Sequence, residues 1–236
     1  MNWILVNHVV ETRFANEFLY WDKTGLVAKG LVEKFPRMEI VDATPGQTVL
    51  KDDASGVTLR YSYQIAHAMQ DSEYCPTKDF VEYVSFFFPF VFRSIDISNL
   101  TRVGNRRKYH RAFESEAESK AALAEVLEKH AIGGSLLSSA SDDTLKDKRL
   151  CQAALRYVDD KIGIRLDIGT ATTAFTVSGP TPPGLKEHLP GKRYSLQLDV
   201  DIYTVKPIPS GDMYAEEFLR SNGKMLETRI LPLLDV

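Results

Sequence analysis

Cysteine is scarce. Cys75 and Cys151 are the only two, far apart and outside any CxxC pair. That excludes a disulfide scaffold and reads as two unpaired thiols in a reducing compartment. Long hydrophobic runs are missing too. The longest, Val84 to Phe92, falls far short of the roughly 20 residues that span a bilayer. The opening Met1 to His8 has neither a basic region nor a useful apolar stretch, so no signal peptide is expected. A cytoplasmic protein with no membrane contact is the simplest expectation. An excess of one charge is also lacking: the net charge is −3 over 236 residues. Dedicated nucleic-acid binders usually carry a strongly basic domain, so nucleic acid is disfavoured as a partner.

Motifs that carry familiar chemistry are equally sparse. The five histidines, His8, His67, His110, His130 and His188, show no HxH or HExxH spacing, which argues against a zinc enzyme. His8 and His67 fall on apolar strand faces and read as core or near-core residues. No Gly-x-Ser-x-Gly elbow occurs, Gly133-Gly134 lacks the Lys-Ser/Thr of a phosphate loop, and Gly25 and Gly30 lie in a helical stretch. No cofactor is expected, and no catalytic residue can be assigned from these patterns.

What the chain does have is ordinary globular composition, 44% hydrophobic and 26% charged, and enough length for a sizeable core. Ile4 to Phe14 alternates as a strand. Asp22 to Phe35 is predicted as a helix with Leu26, Val27, Leu31 and Phe35 inside, capped by Asp22 or Thr24 and stopped by Pro36. Short strands follow at Met38 to Ala43 and Thr48 to Lys51, then a turn at Asp52 to Gly56 and one longer strand from Val57 to Met69. A second helix opens at Pro76-Thr77, buries Phe80, Tyr83, Val84, Phe87 and Val91, and bends or ends at Pro89. A strand covers Ser98 to Glu114. Glu116 to His130 is predicted as a helix with an apolar line of Ala117, Ala121, Ala124 and Leu127. Gly133 to Asp143 reads as a loop or boundary. Strands at Lys148 to Asp159 and Gly163 to Ser178, a rigid connection at Gly179 to Gly184, a strand at Arg193 to Val205 and a helix from Asp212 to Leu231 complete the chain. That helix is predicted to bury Phe218, Leu219, Asn222, Met225, Leu226 and Ile230, and Gly223 in its middle marks close packing. The pattern is α+β: an antiparallel sheet or sheets with helices on one face, a ferredoxin-like half at 1–115 and a loosely similar half at 116–236, in two domains or one continuous one.

Three ordered features resemble a known family: the opening strand Leu5 to Phe14, the Arg-x-Gly strand at Thr101 to Arg106, and the aliphatic-Asp-x-Asp strand Leu198 to Ile202 followed by a long helix. They are similar to the sporadically distributed family of uncharacterised prokaryotic proteins, which has about this length. The resemblance runs from end to end. It departs at Asn7-His8, where the family has a small residue and Pro, and at Ser221-Asn222, where a His is common. It implies an α+β architecture and a prokaryotic, cytoplasmic origin, and it implies no mechanism.

Two clusters carry chemical potential. In Arg102 to Arg111, alternation puts Arg102, Arg106, Lys108 and His110 on one strand face and Arg107, Tyr109 and Arg111 on the other. Such a strand is either a charged surface paired with nearby acids, an anion or nucleotide site, or a platform for single-stranded nucleic acid. On the Arg193 to Val205 strand, Gln197, Asp199, Asp201 and Tyr203 share a face. Asp199 and Asp201 form a minimal cation site if Asp167 joins them, and otherwise pair with arginines. The leading expectation is a non-enzymatic binding or regulatory protein. Its open sheet face, with Arg60, Arg102 and Arg106, meets an anionic ligand, a protein partner or a second copy of the chain as a dimer; Arg107, His110 and Arg111 are further candidates for that contact. The alternative is a metal-dependent nuclease or phosphodiesterase-like enzyme in which Asp199 and Asp201 hold the cation and the basic strand holds phosphate. Acids and arginines converging in a cleft would favour the enzyme; acids already paired with those arginines would favour the binding protein.

Overall fold

The computed structural model describes residues 3–71, 77–129, 152–174, 192–213 and 215–234. The expected loops at Gly133 to Asp143 and Gly179 to Gly184, both cysteines, His130 and His188 lie outside the described residues.

The strands β1 (Ile4–Arg13), β2 (Glu39–Thr44), β3 (Gln47–Asp52), β4 (Val57–Tyr61), β5 (Ile65–Gln70), β7 (Arg102–Phe113), β8 (Gln152–Val158), β9 (Ile162–Ala174) and β10 (Lys192–Thr204) build one nine-stranded sheet, and apolar residues alternate most clearly along β4 and β10. Its order is β2-β3-β4-β5-β1-β7-β10-β9-β8, and every pairing is antiparallel. The short strands β6 (Asn99–Leu100) and β11 (Ile208–Pro209) pair separately. Helices α1 (Leu19–Lys34), α2 (Thr77–Ser94), α3 (Glu116–Lys129) and α4 (Ala215–Met225) cover one face; α4 runs on into a π turn at Leu226–Ile230. The protein is α+β, as the alternating pattern implies.

The first half interlocks two split β-α-β crossovers. The chain leaves β1, passes α1 to the edge strand β2, and meanders back through β3 and β4 to β5 beside β1; α2 then carries it over β1 to β7. That is the ferredoxin-like plan widened by a hairpin. The second half repeats the movement: from β7 through α3 to the opposite edge at β8, then back through β9 to β10 beside β7. β7 hydrogen-bonds to β1 on one side and β10 on the other, so the sheet is continuous across residue 115.

The core follows the helix-covered face. One cluster packs α1 and α2 on β1 to β5 through Leu31, Phe80, Phe87, Leu59 and Tyr61; another packs α3 and the end of α4 on β7 to β10 through Leu123, Val126, Leu198, Val200 and Leu226. Gly30 lets Phe90 lie against α1, because a Cβ there would overlap the ring.

Several local expectations are corrected. The run Val57 to Met69 is a hairpin, not one strand. The Ser62 hydroxyl accepts the amide N–H groups of Gln64 (3.2 Å) and Ile65 (3.1 Å), turning the chain without Gly or Pro. The turn shifts the buried phase, from Val57, Leu59 and Tyr61 to Ala66, Ala68 and Gln70. Pro89 lies inside α2, which continues to Ser94. α1 starts at Leu19 with no side-chain cap, buries Tyr20 and leaves Leu26 64% exposed. In α3 the inward residues are Ser119, Ala122, Leu123, Val126 and Leu127 rather than the alanine line.

Candidate functional site

The sheet brings together, on its uncovered face, most of the residues singled out from the sequence. The β7–β10–β9 register sets Arg106 opposite Asp201 and Asp201 opposite Arg165; one row along, Lys108 faces Asp199 and Asp199 faces Asp167. Arg106 grips Asp199 with two parallel bonds, Nε to Oδ1 at 2.7 Å and an NH2 nitrogen to Oδ2 at 2.5 Å. Arg102 reaches Asp201 at 2.6 Å and Glu11 at 3.3 Å, and lies over the Tyr203 ring at 4.9 Å. Gly104 makes room for that fold-back, since a Cβ there would stand 2.8 Å from the Arg102 guanidinium. Arg165 holds Asp167 at 2.8 Å. Burial pushes the Asp201 carboxyl above its ordinary value, against the pull of Arg102. The face is thus a lattice of acid–arginine pairs, with Asp199 and Asp167 side by side. Among the described residues, no group of three or more His, Cys, Asp or Glu side chains could hold a metal ion.

The remaining candidates are dispersed. Arg60 is on β4 of the same face, opposite His67, with β5 and β1 between it and β7. His67 therefore belongs to the open face, a correction to its core assignment; burial lowers its pKa. His110 lies opposite Gln197, also on the open face. Arg111 points to the helix side, over the Phe113 ring at 5.0 Å.

Arg107 has a different fate. The same alternation that exposes Arg106 turns Arg107 under the helices, where it is 5% exposed. Beside it opens a cavity of about 640 Å³ between β1, β7, the start of α2 and α4, within the range of small-molecule sites. Trp3, Leu5, Tyr109, Leu219 and Leu231 supply apolar wall; Lys78, Arg220, Lys224, Glu216 and Glu227 supply charge. His8 lines it as well, fully buried and packed on Phe80 with ring centroids 4.7 Å apart. Burial raises the Tyr109 pKa, and Arg107 beside it pulls the other way.

No carboxylate lies within ion-pairing distance of Arg107 among the described residues. Its Nε is 3.3 Å from His8 Nε2, and an NH2 nitrogen is 3.4 Å from the Leu219 carbonyl. His8 Nε2 is also 2.8 Å from Asn105 Oδ1. These two contacts demand opposite roles of one nitrogen. The contact to Asn105 is the shorter, and with Nε2–H donating there, the lone pair that would accept from Arg107 Nε is on the other ring nitrogen. Burial first, and Arg107 second, lower the His8 pKa to about 3, so the imidazole is neutral at physiological pH. Trp3 Nε1 is buried in the protein with no hydrogen-bond partner among the described residues. Gly223 allows α4 to approach: a Cβ there would be 3.0 Å and 3.3 Å from the two terminal guanidinium nitrogens.

Sequence reading marked Arg107, Tyr109 and Gly223 but missed that they meet, and it missed Trp3, Lys78 and Lys224. The available signal was phase: Arg107 shares its strand face with Val103 and lies opposite Val200, a cation at an apolar position.

Compared with known protein families and with curated proteins, the chain matches none.

No described helix is long and apolar enough to cross a membrane.

Proposed function

We propose that this is a non-enzymatic binding protein whose ligand is a small anion-bearing molecule held at Arg107, in the cavity between the sheet and α4. One observation carries the reading: a guanidinium 5% exposed lines a cavity and has no carboxylate within ion-pairing distance among the described residues. Burying an unpaired charge costs several kcal/mol, and an anion in the cavity removes that cost. The anion site expected on the open face thereby moves to the other side of the same strand. The open face, with Arg60, Arg102 and Arg106, is left as the surface for a protein partner or a second copy of the chain. The likeness to the sporadically distributed prokaryotic family, and the cytoplasmic location it implies, belong to the same proposal.

The nuclease-like alternative has less support. It needs free carboxylates at Asp199 and Asp201, whereas Asp199 gives both oxygens to Arg106 and Asp201 takes Arg102.

A thermal-shift series with phosphate, sulfate, acetate and Mn²⁺ at matched ionic strength tests the choice. A ligand at 100 times its dissociation constant adds about 2.7 kcal/mol of apparent stability. Stabilisation by an oxyanion that Arg107→Gln abolishes is the expected result. Stabilisation by Mn²⁺ that Asp199→Asn abolishes would reverse the reading in favour of the enzyme.

A further inference from the structure

Charge balance around the Arg107 cavity narrows the ligand. Of the charged side chains that line it, Arg220 and Glu216 are paired with each other along α4. Arg107, Lys78 and Lys224 then face a single remaining acid, Glu227. None of these three cations has an ion pair with a described acid. Lys78 also stands in the first turn of α2, where the helix dipole adds to the positive potential. The excess is about two positive charges, which a monoanionic carboxylate leaves half unmet and a phosphomonoester dianion meets. The polar groups left over point the same way. Arg107 has five N–H donors, and its contacts are the long ones to His8 at 3.3 Å and the Leu219 carbonyl at 3.4 Å, whereas a phosphoryl group brings three acceptor oxygens. The rest of the volume is walled by Trp3, Leu5, Tyr109 and Leu231, surfaces suited to a flat apolar body rather than to a bare ion.

We infer that the ligand is an organic phosphomonoester with a flat body, its phosphate on Arg107, Lys78 and Lys224 and its body against Trp3 and Tyr109. This rests on the proposal that the cavity is a ligand site. The π turn that directly follows α4 places Glu227 at the cavity, a position such irregularities often occupy beside functional sites.

The test is calorimetric titration of the full chain at neutral pH with three probes: phenyl phosphate, benzoate and inorganic phosphate. Phenyl phosphate is expected to bind at least about tenfold more tightly than either of the others. Its affinity is expected to fall as the pH drops through about 6, where the dianion takes up a proton. The double variant Lys78→Ala/Lys224→Ala, at two exposed lysines, is expected to weaken phenyl phosphate at least about tenfold and by a larger factor than it weakens benzoate. Benzoate binding as tightly as phenyl phosphate, or phenyl phosphate binding unchanged in the double variant, would overturn the dianion inference and leave the ligand site standing. Inorganic phosphate binding as tightly as phenyl phosphate would overturn the flat body. No heat from any probe, together with a thermal midpoint that phosphate does not move, would overturn the inference and the ligand site alike.

Discussion

Arg107 and Gly223 lie in contact across the layer between sheet and helix: a Cβ at Gly223 would stand 3.0 Å from one guanidinium nitrogen. The glycine costs α4 about 1 kcal/mol of helix propensity relative to alanine. Gly223→Ala recovers that amount but has to move Arg107 by a few tenths of an ångström, and the two effects offset. The net change in unfolding free energy is expected to stay within about 1 kcal/mol, measured by urea denaturation. Oxyanion binding, read by thermal shift, is expected to weaken nonetheless. A variant that is more stable and binds as well as the parent would show that the close approach has no bearing on the cavity.

On the opposite face, the Arg106–Asp199 pair has good geometry but stands in water, with the Arg106 side chain 50% exposed. A double-mutant cycle with Arg106→Ala and Asp199→Ala is expected to give a coupling of about 0.5–1 kcal/mol. The coupling should shrink in high salt. A coupling near zero would show that the lattice is ornamental to stability, and Asp199 would again be free to serve as a ligand.

The alternation of β10 was legible from sequence because Leu196, Leu198, Val200 and Ile202 make one face apolar, and period two then fixes which side chain goes where. The charged strand was legible only in part. Its phase separates Arg106 from Arg107, yet local pattern carries no information on which face a helix more than a hundred residues later will cover. α4 decides that, and Arg107 becomes the buried member. The Ser62 turn was hidden for a related reason: a lone serine hydroxyl supplies the turn, and the apolar residues on either side read as one strand. Leu26 was misplaced because α1 buries a stripe rotated toward Tyr20, set by contact with β3 and α2.

His8 sets a pH dependence. Its pKa is held at about 3 in the folded protein against 6.5 when exposed. The unfolded chain therefore binds the extra proton between those values. Stability is full above about pH 6.5 and falls as the pH is lowered toward 3, by up to about 1.4 kcal/mol per unit. His8→Gln is expected to flatten that slope between about pH 6.5 and 4.5, above the range where carboxylates dominate. Denaturant midpoints that fall equally steeply with and without His8 would assign the effect to other groups.

The buried Asp52 carboxylate offers the sharpest test of the turn that joins β3 to β4. It is 1% exposed and accepts the Tyr83 hydroxyl at 2.8 Å, the amides of Ala54 at 3.0 Å and Ser55 at 3.3 Å, and Arg37 at 3.1 Å. Gly56, at φ 68°, completes the turn with a backbone that favours glycine. Burial opposes the charge, but these bonds outweigh it and hold the Asp52 pKa below its ordinary value. Tyr83→Phe removes one donor from a buried charge while keeping the ring packed on Phe35, whose centroid is 4.4 Å away. The expected cost is about 1.5–3 kcal/mol by urea denaturation. Because the lowered pKa stabilises the fold only while Asp52 is ionised, the cost should diminish as the pH falls below about 4. Tyr83→Phe within about 0.5 kcal/mol of the parent at neutral pH would mean that Arg37 and the turn amides satisfy Asp52 without it.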